Sequence, residues 1–370
     1  MKNSWVAALV IGIQLVLVSV AGASSSPSLE EKIGQMLMVG FRGTVVDKDH
    51  FVVRAISEKN LGGVILFDYD LDTRRSGRNI ASPEQLKDLV AALQQASASP
   101  LLVAVDQEGG QVARLKAHDG FVPTVSHRSL GKLDDLEATT RLSLELAQTL
   151  AESGVSLNLA PVVDLCANPD NPIIARYERC FSADADQVIA HARAFIAAHL
   201  QAGVLTALKH FPGHGSSAAD SHLGFTDITQ SWSEVELAPF RRLIAEGQVD
   251  TVMTAHVFNA RLDDQHPATL SSAVISGLLR KELDFDGVII SDDMQMGAIT
   301  RHYSLADAIR LAIEAGVDIL VFGNNLAYDE QIVERAIRII SELIDGGILC
   351  ESRIQASYDR IQNLKKRITR

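Results

Sequence analysis

Residues 204–222 read VLTALKHFPGHGSSAADSH, and the point where that run changes character decides the fold. Val204 to Phe211 has the length and apolar density of a strand buried on both faces. From Lys209 to His222 the chain then packs a lysine, three histidines, a Pro-Gly turn and an Asp-x-His pair into fourteen residues. So dense a polar run is costly to bury without a use, and loops carried on rigid strands are where chemistry concentrates. The plain alternative is a surface loop with turn glycines and a capping aspartate. Five titratable side chains, Lys209, His210, His214, Asp220 and His222, weigh against it.

The same change recurs along the chain. Near-continuous apolar runs of strand length occupy Met36 to Phe41, Gly62 to Phe67, Leu101 to Asp106, Leu157 to Asp164, Val204 to Phe211, Thr251 to Val257, Gly287 to Asp293 and Asp318 to Gly323. After a short leading helix at Leu29 to Gln35, amphipathic segments of helical period separate them: Pro83 to Ala96, Ala138 to Ser153, Ala185 to Ala202, Ser233 to Gly247, Ser272 to Leu283, Leu305 to Gly316 and Asp329 to Ile344. Ser82 and Ser304 stand where helix caps belong, and Arg353 to Arg370 reads as a last, charged helix. Strand then helix, repeated about eight times, is the pattern of an α/β fold, a single (β/α)8 TIM-type barrel, with a doubly wound open sheet as the rival. Polar placement separates the two. Asp106, Asp164, Lys209 with His210, His256, Asp292 and Asn324 all fall at C-terminal ends of strands, and a closed barrel brings those ends to one mouth.

Composition narrows the function. The 370 residues are 47% hydrophobic and 22% charged, with no second composition block or linker to divide them. A net charge of -12, from 46 acidic and 34 basic residues, argues against nucleic acid or an anionic membrane as partner. Lys2, the apolar run Trp5 to Val20 and the small residues Ala21-Gly22-Ala23 predict a signal peptide over residues 1–23, removed after Ala23 to leave 24–370 as the catalytic domain. The expectation is an exported protein, periplasmic or secreted, with no stable membrane insertion after cleavage. Three cysteines are too few for a disulfide framework; a bridge between Cys166 and Cys180, fourteen apart, is one possibility. His210, His214 and His222 are spaced by four and eight, which matches no metal pattern, so neither a metal nor a cofactor is expected.

Two constellations carry chemistry. Asp292 ends a strand in GVIISDD, where it can act as nucleophile, base or ligand, while its neighbour Asp293 is free to cap the next helix. Asp220 and His222, two apart in an extended loop, can share one side; a carboxylate on one imidazole nitrogen orients the other and raises its basicity, as a proton shuttle requires. The small, polar run Gly213 to Ala219 predicts a loop that closes over its ligand.

Four blocks together span most of the chain: AVDQEGGQVARL (Ala104 to Leu115), LAPVVD with the later YERCF (Leu159 to Phe181), KHFPGHG with four variable residues and then D-S-H (Lys209 to His222), and FDGVIISDDMQMGAI (Phe285 to Ile299). In these the sequence resembles glycoside hydrolase family 3, and within it the NagZ-type β-N-acetylhexosaminidases. The resemblance implies a retaining exo-β-N-acetylglucosaminidase that removes terminal non-reducing N-acetylglucosamine through a covalent glycosyl-enzyme. Carried over position by position, it makes Asp292 the nucleophile, His222 the general acid and base, and Asp220 its partner, where glycosidases ordinarily use a second carboxylate. It makes Asp106 the carboxylate that grips ring hydroxyls, with Arg114, Arg179, Lys209 and His210 as donors around them. Arg114 as a surface residue, Lys209 paired with Asp164 and Arg179 serving the loop are the structural alternatives. An export signal is unusual for the cytoplasmic members, which directs the substrate toward peptidoglycan- or chitin-derived glycans.

Rival activities are a β-glucosidase or β-xylosidase of the same family, whose acid is generally a glutamate from a further domain, and a glycoside phosphorylase, since a neutral imidazole does not repel phosphate. A carbohydrate-binding protein without catalysis would keep Asp106, Lys209 and His210 and lose the pair Asp292 and His222, both of which are present.

Overall fold

The computed structural model describes residues 27–368; the predicted signal peptide lies outside them. Eight strands, β1 (Leu37–Gly40), β2 (Gly63–Ile65), β3 (Leu102–Val105), β4 (Leu157–Asn158), β5 (Leu205–Phe211), β6 (Thr251–Thr254), β7 (Val288–Asp293) and β8 (Ile319–Phe322), form one closed parallel barrel in chain order. Met38 of β1 faces Gly63 of β2 on one side and Val321 of β8 on the other, which closes the sheet and excludes the open, doubly wound alternative. Every residue of β1, β3 and β8 is buried, as strands wedged between a filled lumen and a ring of helices must be. One contiguous apolar core joins lumen and helices. Among the described residues, no helix is long and apolar enough to cross a membrane.

The predicted caps are in place: the side chains of Ser82 and Ser304 accept hydrogen bonds from the Gln85 and Asp307 amides. Three helices escaped the periodicity, Phe51–Lys59, His127–Leu133 and the single turn Gly297–Thr300; all are short, and the second lies in a polar stretch. The segment predicted as one helix over Ser233 to Gly247 divides into a tight turn, Glu234–Leu237, and a helix, Ala238–Ala245, with Pro239 in its first turn. The fourth strand is also shorter than its apolar run. Regular pairing stops at Asn158, because Pro161 has no N–H to give the ladder, and the chain then follows β5 through a single bridge between Val162 and Lys209.

Two strands carry an irregularity where the chemistry lies. Between the pairs Leu208–Val252 and Phe211–Thr254, β5 advances three residues while β6 advances two. Between Ile290–Ile319 and Asp293–Val321, β7 likewise advances three against two on β8. Each strand therefore holds one extra residue, at Lys209–His210 and at Ser291–Asp292. An extra residue breaks strict in-and-out alternation, so consecutive side chains there are re-aimed toward the mouth. Between β2 and the helix Pro83–Ala96, a small hairpin pairs Tyr69–Asp70 with Arg75–Ser76 and forms part of the rim.

Candidate active site

A cavity of about 580 Å³ at the mouth is lined by all eight residues singled out from the sequence: Asp106, Arg114, Arg179, Lys209, His210, Asp220, His222 and Asp292. A second concavity, between the helices Ala185–Ala202 and Ala238–Ala245, holds none of them, and its Arg193, Arg241 and Arg242 are ion-paired to Glu246 and Glu282.

One wall is a chain of charges. Lys209, on the extra-residue segment of β5, reaches across the barrel so that its Nζ donates to Asp106 at 2.8 Å and lies 2.7 Å from Glu108. The pairing of Lys209 with Asp164, one of the alternatives, is not what forms. Arg114 donates to the other Asp106 oxygen at 3.2 Å. Burial alone would raise the Asp106 carboxyl, but Lys209 and Arg114 outweigh it and hold the group well below the usual carboxylate range. Each oxygen keeps accepting capacity for a ligand hydroxyl. Glu108 was missed, although it stands in the quoted AVDQEGG block; it is buried, and Arg179 grips it with two hydrogen bonds of 2.8 and 2.7 Å.

Arg179 also donates to the Ile173 carbonyl at 3.3 Å and to His210 Nε2 at 3.0 Å. Those bonds commit four of its five N–H donors and leave one, on Nη1, for a ligand. Because a guanidinium only donates, His210 Nε2 accepts, and its proton sits on Nδ1, which donates to Asp164 at 2.7 Å. Burial, together with the Arg179 and Lys209 cations, keeps the His210 imidazole neutral. With both ring nitrogens engaged, His210 lines the cavity and fixes Arg179 and Asp164, and it has no spare N–H for a ligand.

The opposite wall holds the two chemical constellations. Asp292 Oδ1 accepts the Asp293 amide at 2.8 Å, whereas Asp293 Oδ1 accepts the amides of Gln295 at 3.0 Å and Gly323 at 2.9 Å. The expected helix cap does not form: both aspartates line the cavity, and Asp293 closes the turn after β7 while the next helix, Gly297–Thr300, starts at Met296 with no side-chain cap. Burial raises Asp293 to about 6. Burial also pushes Asp292 upward, but the imidazoles of His256, His210 and His222 outweigh it, so Asp292 stays below the ordinary range and ionised. His256, which had no expected role, donates from Nε2 to the Asp293 carbonyl at 3.0 Å and holds this turn in place.

His222 Nδ1 donates to Asp220 Oδ1 at 2.8 Å, and the same oxygen accepts the His222 amide at 2.9 Å. The ring is therefore oriented with Nε2 as its unpaired nitrogen. Desolvation in the mouth lowers its pKa, but the bond to Asp220 and the charge of Asp292 outweigh that and leave it above the ordinary imidazole value.

The loop that carries this pair is anchored more firmly than its small residues suggest. Gly213 to Ser217 are buried; Glu236 accepts the Gly215 and Ser216 amides at 3.0 and 3.3 Å, and Asn171 donates to the His214 and Gly215 carbonyls at 2.8 and 3.1 Å. The His214 ring bridges Ser217 at 2.8 Å and Ser221 at 3.1 Å. Exposure begins only at Ala218, so the predicted moving segment starts there and not at Gly213. Cys166 and Cys180 are bridged, the pairing the sequence left open, and this ties down the loop in which Arg179 sits. Among the described residues, no group of three or more His, Cys, Asp or Glu side chains is arranged to hold a metal ion.

Comparison with known proteins gives the same picture at larger scale. Residues 28–364 match the model of the glycosyl hydrolase family 3 N terminal domain. A beta-hexosaminidase of Tolumonas auensis is 38% identical over 296 residues, covering 79% of this chain and 83% of that protein. The structure of a glycoside hydrolase family 3 beta-N-acetylglucosaminidase from Paenibacillus superposes with a TM-score of 0.85 at 35% identity, over 93% of this chain and 63% of that one. The beta-N-acetylhexosaminidase of Beutenbergia cavernae superposes at 0.82 with 30% identity, over 92% of this chain and 99% of its own. The chain thus spans under two thirds of the Paenibacillus protein and nearly all of the Beutenbergia one.

Proposed function

The chain belongs to glycosyl hydrolase family 3, and from that premise we propose that it is a retaining exo-β-N-acetylglucosaminidase. The observation that carries this reading is the meeting, in one cavity, of an ionised Asp292 with a His222 whose Nδ1 is already held by Asp220. In the first step an Asp292 oxygen attacks the anomeric carbon while His222 Nε2–H gives its proton to the departing glycosidic oxygen. In the second, His222 Nε2 takes a proton from water as the water displaces Asp292. Asp220 keeps the imidazole in one tautomer through both steps. Asp106 accepts from ring hydroxyls; Lys209, Arg114 and the remaining Arg179 N–H donate around them, and His210 acts by holding Arg179.

The same reading extends to location. Residues 1–23 have the pattern of a removable export signal, and a structural disulfide of the Cys166–Cys180 kind persists in oxidising compartments. The substrate then lies among glycans met outside the cytoplasm, peptidoglycan- or chitin-derived. Mass analysis of the native protein should find Ser24 at its N-terminus; an intact Met1 start would sink the export reading.

The direct test compares release of the chromophore from an aryl β-N-acetylglucosaminide and an aryl β-glucoside. The N-acetyl sugar should be preferred, with activity abolished in Asp292→Ala and reduced at least about a hundredfold in His222→Ala. Preference for the plain glucoside, or a full rate in Asp292→Ala, would overturn the assignment.

A further inference from the structure

The segment after Asp292 and Asp293 does more than continue the chain. Two consecutive amides there, Gly297 and Ala298, donate to two consecutive carbonyls of the loop that carries the proton shuttle: Gly297 N–H to His222 at 3.2 Å, and Ala298 N–H to Ser221 at 3.2 Å. The fit leaves no room for a side chain. A Cβ on Gly297 would lie 2.8 Å from the His222 carbonyl oxygen and 3.1 Å from the Leu223 carbonyl carbon, both backbone atoms that yield only if the loop shifts. The loop's far end is held separately, with the Phe225 ring 5.1 Å from Phe258 and 5.7 Å from His302.

We infer that Gly297 and Ala298 form the seat on which the tip of the Asp220–His222 loop docks, and that Gly297 is a positioning residue for acid and base catalysis. The inference rests on the proposed function. Its physical content is that nucleophile and proton shuttle are registered to each other through five residues of backbone, so that an exposed tip on a buried base still presents Nε2 at a fixed place. Asp220 sets the tautomer and rotation of the ring, and the Gly297–Ala298 amides set where the ring stands.

A misplaced acid has a signature that a general loss of structure lacks. Where the leaving group departs unaided as a stable anion, the first step needs no proton and only the second step suffers. In Gly297→Ala, kcat/KM for a phenyl β-N-acetylglucosaminide should fall roughly tenfold to a hundredfold. For the dinitrophenyl glycoside, kcat/KM should stay within about threefold of wild type while kcat and KM fall together, with a burst of dinitrophenolate equal to the enzyme present. Ala298→Pro, which replaces one donor N–H with a ring methylene aimed at the Ser221 carbonyl, should give the same pattern. An equal loss of kcat/KM on both substrates in both variants would overturn the inference, as would wild-type kinetics in Gly297→Ala. Failure of the wild type to act on any aryl β-N-acetylglucosaminide would instead overturn the function on which it rests.

Discussion

Asp220 fixes both the geometry and the charge of His222, and removing only the charge separates the two. Asp220→Asn keeps an acceptor for Nδ1–H and for the amide but withdraws the anion that holds the imidazole above its ordinary pKa. The alkaline limb of kcat/KM reports the acid of the free enzyme, here the imidazolium of His222. In Asp220→Asn that limb should move toward lower pH, and the maximum should fall roughly tenfold to a hundredfold. The acidic limb belongs to Asp292, whose carboxyl is held below the ordinary range by its neighbouring imidazoles, and it should stay where it is. A pH profile of kcat/KM on the phenyl glycoside decides the matter; an unmoved alkaline limb would assign it to another group. Glu108 shows what single residues hide. A glutamate two positions after a strand-end aspartate has no period to mark it, and only the arrival of Lys209 from β5 and Arg179 from a distant loop makes it the hub of that wall.

At the scale of elements, polar residues at strand ends were legible because strands buried on both faces tolerate charge only where they leave the sheet. The same uniform burial hid the extra residues in β5 and β7, since a strand that is apolar throughout carries no alternation for a bulge to interrupt. The helix Phe51–Lys59 was lost for a related reason: nine residues offer two turns, too few for a period to stand out. The loop after β4 depends on its covalent tie. Cys166, Ile173, Ile174 and Cys180 form a small apolar cluster of their own, apart from the main core, and Arg179 adjoins the bridge. Closing a loop of this length is worth about 3 kcal/mol in the chain-entropy account. A Cys166→Ser, Cys180→Ser double variant should lose that much stability by thermal or denaturant melting. Its KM for the aryl N-acetylglucosaminide should also rise several-fold, since Arg179 steadies Glu108 and His210; an unchanged KM would separate the bridge from the site.

The whole molecule divides its labour between the two ends of the barrel, with chemistry at the C-terminal mouth and stitching at the opposite pole. There the last helix, Glu351–Lys365, is drawn against the strands by buried Asp318, which accepts Ser357 at 2.6 Å and Arg360 at 3.3 Å and pairs with Arg280 at 2.5 Å. Lys365 is the weak stitch. The residue is 2% exposed, and its hydrogen bond, 2.7 Å to Gln35 Oε1, brings no opposing charge. Burial lowers its pKa to about 7 from 10.5. Between those values the unfolded chain holds the extra proton, so stability rises with pH across that window, and the penalty is fully present below about pH 7. Lys365→Met removes the charge and keeps most of the volume, while Gln35 Oε1 retains its 2.9 Å bond from Gln362. The variant should be more stable than wild type by on the order of 2 kcal/mol at neutral pH, with the gap closing toward pH 10.5 and kcat/KM unchanged. Melting both proteins across that range reads the sign directly: a gap that widens with pH would mean the native state stabilises the ammonium, and the Gln35 contact would then outweigh its burial.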